Sequence, residues 1–274
     1  MRIATNNLIV MGIATVVYVL VDFFIFASDA GSFFGILLLQ LGLIAVAVSP
    51  IGEAILRFIY GSKPLTKREA ERVMPLFNAV YQRVLEEHPD TNKAIKLYVE
   101  NTMSVNAFAV GCRTITITRG AIETLSDDEI KGMLAHEFGH LAHGDTVLPL
   151  VFLVGNAMFL ALMVAVKIAQ LFVVFLTAYA QALFLGRIIN LLVTLLMTLA
   201  LFIVQALILV NQRQNEYLAD KFAYEIGHGA DLLSVMYAIS QFQFEGKTTM
   251  LDRIKSSHPN TRNRINRLEE MLES

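Results

Sequence analysis

A single cysteine, Cys112, leaves this chain no internal disulfide to close, and its apolar surroundings make it a small packed side chain rather than a nucleophile. Charge is scarce too. Asp, Glu, Lys and Arg make up 17% of the residues and nearly cancel, to a net charge of −2. That balance offers no basic footprint for nucleic acid, and no basic aromatic motif replaces it. Internal repeats and low-complexity linkers are lacking as well. What the chain has instead is apolar surface: 55% of its 274 residues are hydrophobic and the mean hydropathy is +0.56. Such a composition is too oily for an ordinary soluble domain and points to a membrane protein.

A helix needs about 20 apolar residues to cross about 30 Å of hydrocarbon. Ile3–Ala27, interrupted by Asn6, Asn7 and Asp22, is one run of that length; Phe33–Ile59, with Glu53 and Arg57 near its end, is another. The first is too long and uninterrupted for a cleavable signal peptide and reads as an uncleaved anchor. A third block, Val147–Val210, carries only Lys167 and Arg187 as charges and by length holds two spans or three. Most of the charge lies in Gly61–Thr146 and Asn211–Ser274, which read as one water-exposed domain split by the apolar block. A helix is expected near Thr66–Glu87, and strands around Lys96–Val99, Asn106–Val110 and Thr114–Thr118. The alternation in "RTITITRG" suits a half-buried strand.

Against this background "MLAHEFGHLAHGD", Met133–Asp145, gathers three histidines and two acids. Ser126 followed by Glu129 forms a capping box, and Gly144 suits a helix stop, so the cluster rides on a helix. His136 and His140, four residues apart, share one face about 6 Å apart along the axis, close enough for two imidazoles to close on one metal ion. Glu137 reaches the same side, and H-E-x-x-H on a helix is a zinc-binding pattern. His143 lies one turn on, but three consecutive turns of one helix diverge from a tetrahedral ion. The elongated version of the motif wants Gly and His where this chain has His143 and Thr146, which excludes it. Farther on, "NEYLADKFA" puts Glu216 and Asp220 on one helix face, and a carboxylate from it would complete a His, His, Glu set. By itself that pair is an ordinary solvated face.

"HEFGH" and "NEYLADKFA", with "NAFAVG" upstream and "SHPNTRNRI" downstream, together resemble the HtpX family of membrane-bound zinc metalloproteases, relatives of the CAAX prenyl proteases. The motifs come in the family's order and the likeness covers nearly the whole chain. The resemblance implies a mainly α, polytopic membrane protein: four transmembrane helices with a cytoplasmic, zincin-like α+β protease domain. It implies one zinc ion per chain held by His136, His140 and Glu216, Glu137 as general base, and Asp220 orienting His136. It makes Asn106, Ala107, Phe108 and Ala109 an edge strand that takes an extended peptide by strand addition. His258 and Arg264 match positions that hold the substrate carbonyl as it gains charge, although Arg262 and Arg267 lie near. Val105 and Asn260 stand where the family often has proline.

Ligands on both sides of Val147–Val210 must meet on one side of the membrane, so that block crosses an even number of times: two spans. The divisions are then 1–60, a hairpin of two spans; 61–146, the first part of the protease domain with the H-E-x-x-H helix; 147–210, a second hairpin; and 211–274, the second part with the third ligand. Arg2 precedes span one, the "SDAGS" turn lacks Lys and Arg, and Arg57, Lys63, Lys67 and Arg68 follow span two. By the positive-inside rule the protease domain and both termini face the cytoplasm. The expected function is hydrolysis of peptide bonds in membrane-associated or misfolded membrane proteins of the cell membrane, in quality control and stress response. The expected partners are polypeptide substrates and the lipid bilayer, not nucleic acid. Two alternatives stand beside it. A prenyl-protein protease shares the zinc chemistry but belongs with more spans enclosing a chamber. A non-enzymatic transporter or receptor would use Asp22, Lys167 and Arg187 as intramembrane charges.

Overall fold

Two capping boxes set the frame. Thr66 accepts from the Glu69 amide while Glu69 accepts from the Thr66 amide, and Ser126 and Glu129 do the same, which satisfies backbone donors that the first turn of a helix leaves over. The computed structural model describes residues 5–26, 29–92, 94–152, 184–245 and 261–273, with isolated positions between 161 and 172. In chain order the elements are α1 (Thr5–Phe26), α2 (Ala30–Ala47), α3 (Pro50–Ile59), β1 (Ser62–Lys63), α4 (Lys67–Glu87), β2 (Lys96–Glu100), β3 (Ala107–Val110) and β4 (Thr114–Thr118). They continue as α5 (Arg119–Thr124), α6 (Asp127–His143), α7 (Val147–Leu150), α8 (Phe184–Glu225), α9 (Gly229–Glu245) and α10 (Thr261–Glu273). The chain is mainly helical with one small sheet.

The sheet runs β1-β2-β4-β3, with β2 and β4 parallel and the outer pairs antiparallel. The strand expected around Asn106–Val110 is therefore an edge strand, paired with β4 through Ala107–Ile117 and Ala109–Ile115. The alternation in β4 misleads in one respect: Thr114, Thr116 and Thr118 are buried along with Ile115 and Ile117. Their hydroxyls are covered and bonded, Thr114 by Arg57 Nη1 at 3.0 Å and Thr116 by Ser62 Oγ at 3.0 Å. A polar strand face can be buried when each hydroxyl finds a partner.

Val73, Phe77, Val80 and Val84, spaced three and four apart on α4, form a buried stripe against α6. Phe138 of α6 stacks on Tyr81 at 5.2 Å and tilts against Phe77 at 5.3 Å. Leu134, Phe138 and Leu141 thus fill the core, and the opposite face of α6 is left for His136 and His140.

Phe33–Ile59, expected as one span, divides. Pro50 has no amide proton for a continuing helix, and the residue before a proline is driven to extended backbone; Ser49 sits at φ −84°, ψ 169° and caps α3 by accepting from the Ile51 amide. The axes of Phe33–Ala47 and Pro50–Ile59 diverge by 71°. Among the described residues no single helix is long and apolar enough to cross a membrane. At the other end of the apolar block, α8 runs unbroken from Phe184 to Glu225 and carries Glu216 and Asp220. Near that point α1 is fastened to it: Asn7 Oδ1 accepts from Asn215 Nδ2 at 3.1 Å and from Asn211 Nδ2, and Asn6 Nδ2 donates to Gln214 Oε1 at 2.9 Å.

Candidate metal centre and active site

Helices α6 and α8 cross where side chains are smallest. A Cβ on Gly139 would lie 2.8 Å from the Ala219 Cα, so glycine lets the two backbones meet. The consequence is local: the residues flanking that contact, His136 and His140 on α6 and Glu216 on α8, are brought face to face. His136 Nε2 and His140 Nε2 are 3.1 Å apart; Glu216 Oε2 is 3.5 Å from the first and Glu216 Oε1 is 3.7 Å from the second. One ligand atom from each of the three lies within 4.8 Å of the others. A tetrahedral zinc with bonds of about 2.0–2.2 Å needs donors about 3.3–3.6 Å apart, so the spacing fits.

The outer ring atoms make the same case. His136 Nδ1 faces Asp220 Oδ1 at 2.9 Å, and His140 Nδ1 faces Asp145 Oδ2 at 2.8 Å. An ionised carboxylate only accepts, so each Nδ1 donates and, in the neutral ring, each Nε2 is left with a lone pair. Two lone pairs turned toward each other require a cation or a proton between them. The electrostatics agree, since four buried carboxylates, Glu137, Asp145, Glu216 and Asp220, surround the histidines against one buried guanidinium, Arg264. Burial opposes charge on His140, but Asp145, Glu216 and Glu137 outweigh it and push the imidazole up to about 9. The site favours positive charge, and the donor set is the hard and borderline mixture that suits zinc.

Glu137 is buried beside the cluster, at 1% exposure, near enough to act on both His140 and Arg264. His143 points elsewhere: its Nδ1 donates to the Gly139 carbonyl at 2.7 Å and its ring meets Phe222 edge-on, with burial pushing its pKa down. Asp220 lies against His136, and also takes two bonds from Arg264, Nε to Oδ2 at 2.7 Å and Nη2 to Oδ1 at 2.6 Å. Burial works against its charge, but Arg264 and His136 hold the carboxyl down at about 2.

Arg264 is where the geometry departs most from expectation. Read from the sequence as a donor to the substrate carbonyl, it is buried on α10, and its remaining nitrogen, Nη1, sits 2.6 Å from Glu216 Oε2. The guanidinium bridges Glu216 and Asp220, the carboxylate that faces His136. Of its neighbours, Arg262 is exposed and Arg267 lies over the Tyr217 ring at 4.4 Å. His258 lies outside the described residues. Asn106, Ala107, Phe108 and Ala109 lie at and along β3, against which α6 packs, so the outer sheet edge runs beside the helix that carries His136 and His140.

Sequence reasoning passed over Asp145. Its signal was present, an acid just past the Gly144 helix stop, but nothing in the spacing says that the turn folds back to put that carboxylate on His140. The Asn7, Asn211 and Asn215 knot was likewise hidden, because its members lie about two hundred residues apart.

The sequence profile of Peptidase family M48 matches residues 68–272. A protein named Protease HtpX homolog from Salinibacter ruber is 26% identical over 261 residues, covering 84% of this chain and 86% of that one. Another of the same name from Halobacterium salinarum is 32% identical over 175 residues, 60% of this chain and 55% of the relative. Among solved structures, S. mikatae Ste24p superposes with a TM-score of 0.51 at 19% identity. That match covers 94% of this chain but 62% of the length of Ste24p, and is a likeness of fold.

Proposed function

The chain belongs to peptidase family M48 and is a metalloprotease, and from that premise we propose that it is a membrane-anchored zinc endopeptidase acting on polypeptides at the cytoplasmic face of the cell membrane. The observation that carries the reading is the convergence of His136, His140 and Glu216 within 4.8 Å, with Glu137 buried beside them. In this reading His136, His140 and Glu216 hold the ion, while Asp220 and Asp145 each fix one imidazole by its outer nitrogen. Bound zinc supplies a Lewis acid that polarises a water molecule and the peptide carbonyl. Glu137, which is not a ligand, takes the proton of the attacking water and returns it to the leaving amine. Arg264 neutralises Glu216 and Asp220 and holds both in place, and His258 is the other expected donor to the substrate carbonyl.

The substrate reading rests on β3. An edge strand beside the metal helix accepts an extended peptide by main-chain pairing along Asn106–Ala109, which binds unfolded segments with little regard to sequence. The reading keeps four spans, two before residue 61 and two within 147–210, with both termini in the cytoplasm. It is supported by the length of the apolar runs and the placement of Lys and Arg. Placed there, the enzyme suits damaged membrane proteins and a role in quality control under stress. Detergent-purified full-length protein tests it: about one zinc per chain, cleavage of an unfolded test protein, loss of cleavage on chelation and its return with added zinc. Chelator-insensitive cleavage, or none with zinc bound, contradicts it.

A further inference from the structure

Helix α3 has two faces, and the metal site uses neither directly. One is buried: Gly52, Glu53 and Leu56, of which Glu53 and Leu56 are turned toward the sheet. Leu56 packs with Val110 and Leu150, with Phe108 against them. Glu53, at 2% exposure, accepts from the Cys112 amide at 2.7 Å and from Thr114 Oγ1 at 3.3 Å. Arg57 and Arg113 lie 3.7 and 3.9 Å from its carboxylate. At the end of the helix the Tyr60 ring meets the Phe108 ring of β3 at 5.2 Å. So α3 is fastened to the strand that takes substrate and to the turn that follows it.

The other face is apolar and open. Ile51, Ile55, Phe58 and Ile59 are 62%, 37%, 87% and 55% exposed, and at 100° per residue they fall within an arc of about 100°. A stripe like this on a short amphipathic helix calls for an occupant. The surroundings identify it. Residue Ala47 ends α2, whose own Leu38, Leu39 and Leu41 are exposed, and the chain then turns by 71° into α3. Gly52 makes the turn possible, because a Cβ there would meet the Ala47 carbonyl at 2.0 Å. The start of the next apolar block also lands on α3, through Leu150 against Leu56, and Thr146 Oγ1 donates to the Gly111 carbonyl. Two apolar segments thus begin or end at this helix, one on each side of the protease sequence. With α2 near the bilayer normal, the 71° turn leaves α3 about 20° from the membrane plane.

We propose that α3 is an in-plane helix of the membrane interface, its Ile51, Ile55, Phe58 and Ile59 stripe seated at the boundary of headgroups and acyl chains, and that it fixes the substrate strand β3 at that level. The second half rests on the zinc-protease reading above and sharpens its substrate class. A peptide paired to β3 lies about one helix diameter, ~10 Å, from the stripe, the reach of about three extended residues. Preferred substrates are unfolded segments joined to the bilayer a few residues from the cleaved bond.

The chain has no tryptophan, so a single one reports depth without interference. Full-length Phe58→Trp and Leu39→Trp proteins are reconstituted in phosphatidylcholine–phosphatidylglycerol vesicles containing lipids brominated at shallow or deep acyl positions. Phe58→Trp should be quenched most by the shallow bromines and Leu39→Trp by the deep ones. Phe58→Trp quenched by neither, or most by the deep set, overturns the in-plane helix. For the second half, Ile55→Glu/Phe58→Glu should lower cleavage of a bilayer-anchored unfolded peptide by roughly 10-fold, with a soluble unfolded protein cleaved as before. Equal loss on both substrates with zinc retained refutes the link between α3 and substrate choice. A wild-type protein that cleaves neither substrate refutes the enzymatic reading, and the quenching then decides α3 alone.

Discussion

Asp145 was not legible as part of the site, and its removal gives the sharpest test of how the metal is held. Its Oδ2 accepts a hydrogen bond from His140 Nδ1 at 2.8 Å in a buried setting. That bond fixes the tautomer, aims Nε2 at the centre of the His136, His140 and Glu216 cluster and adds negative charge one ring away from it. Loss of such a carboxylate behind a metal-bound imidazole weakens metal binding by about 10 to 100-fold, or roughly 1.4–2.7 kcal/mol. Asp145→Asn keeps an oxygen acceptor and loses the charge, so it belongs at the lower end; Asp145→Ala also frees the ring to turn and belongs at the upper end. The helix itself should survive, because α6 ends at Gly144, whose amide bonds to the His140 and Leu141 carbonyls, before Asp145 is reached. Zinc competition against a chromophoric chelator, on detergent-solubilised protein, reads the affinity. Both variants binding zinc as the wild type does would show that His140 needs no partner, and would refute the reasoning from the paired Nδ1 contacts.

Arg264→Ala removes a buried cation from two buried carboxylates, a change that costs about 3–5 kcal/mol in such pairs, so melting temperature and zinc affinity should fall together. Arg264→Lys should not restore them, since an ammonium cannot bridge both acids in fork geometry. A kcat loss of ~100-fold with stability and zinc unchanged would instead return Arg264 to the carbonyl-holding role. Gly139→Ala drives a methyl group into the Ala219 backbone; thermal unfolding should show a loss of about 1–3 kcal/mol and zinc titration a weaker site. An unchanged melting temperature would mean that α6 and α8 can part without cost.

How far the sequence carried the account depended on whether a feature was local. The H-E-x-x-H helix, its capping box, the α4 helix and the three main strands follow from short-range rules of capping, period and branching. The pairing of Glu216 with His136 and His140 spans the apolar block, and motif resemblance stood in for physics there. What spacing could not supply was tertiary. Pro50 was visible in the sequence, but the apolar composition of Phe33–Ile59 masked the break it causes, and the amphipathic character of α3 appears only when that run is cut in two. The buried threonines of β4 read as a solvated face because alternation reports polarity and not whether hydroxyls find partners. Arg264 reads as a free donor for the same reason, since a sequence does not show two acids closing on it.

The central claim is that neighbouring acids do different work, Glu137 on the proton and Glu216 on the metal. Zinc content and proteolysis measured side by side on Glu137→Gln and Glu216→Ala test it most directly. The account predicts that Glu137→Gln keeps about one zinc per chain and cleaves nothing, while Glu216→Ala loses most of its zinc along with its activity. Zinc lost from Glu137→Gln and retained in Glu216→Ala would contradict it.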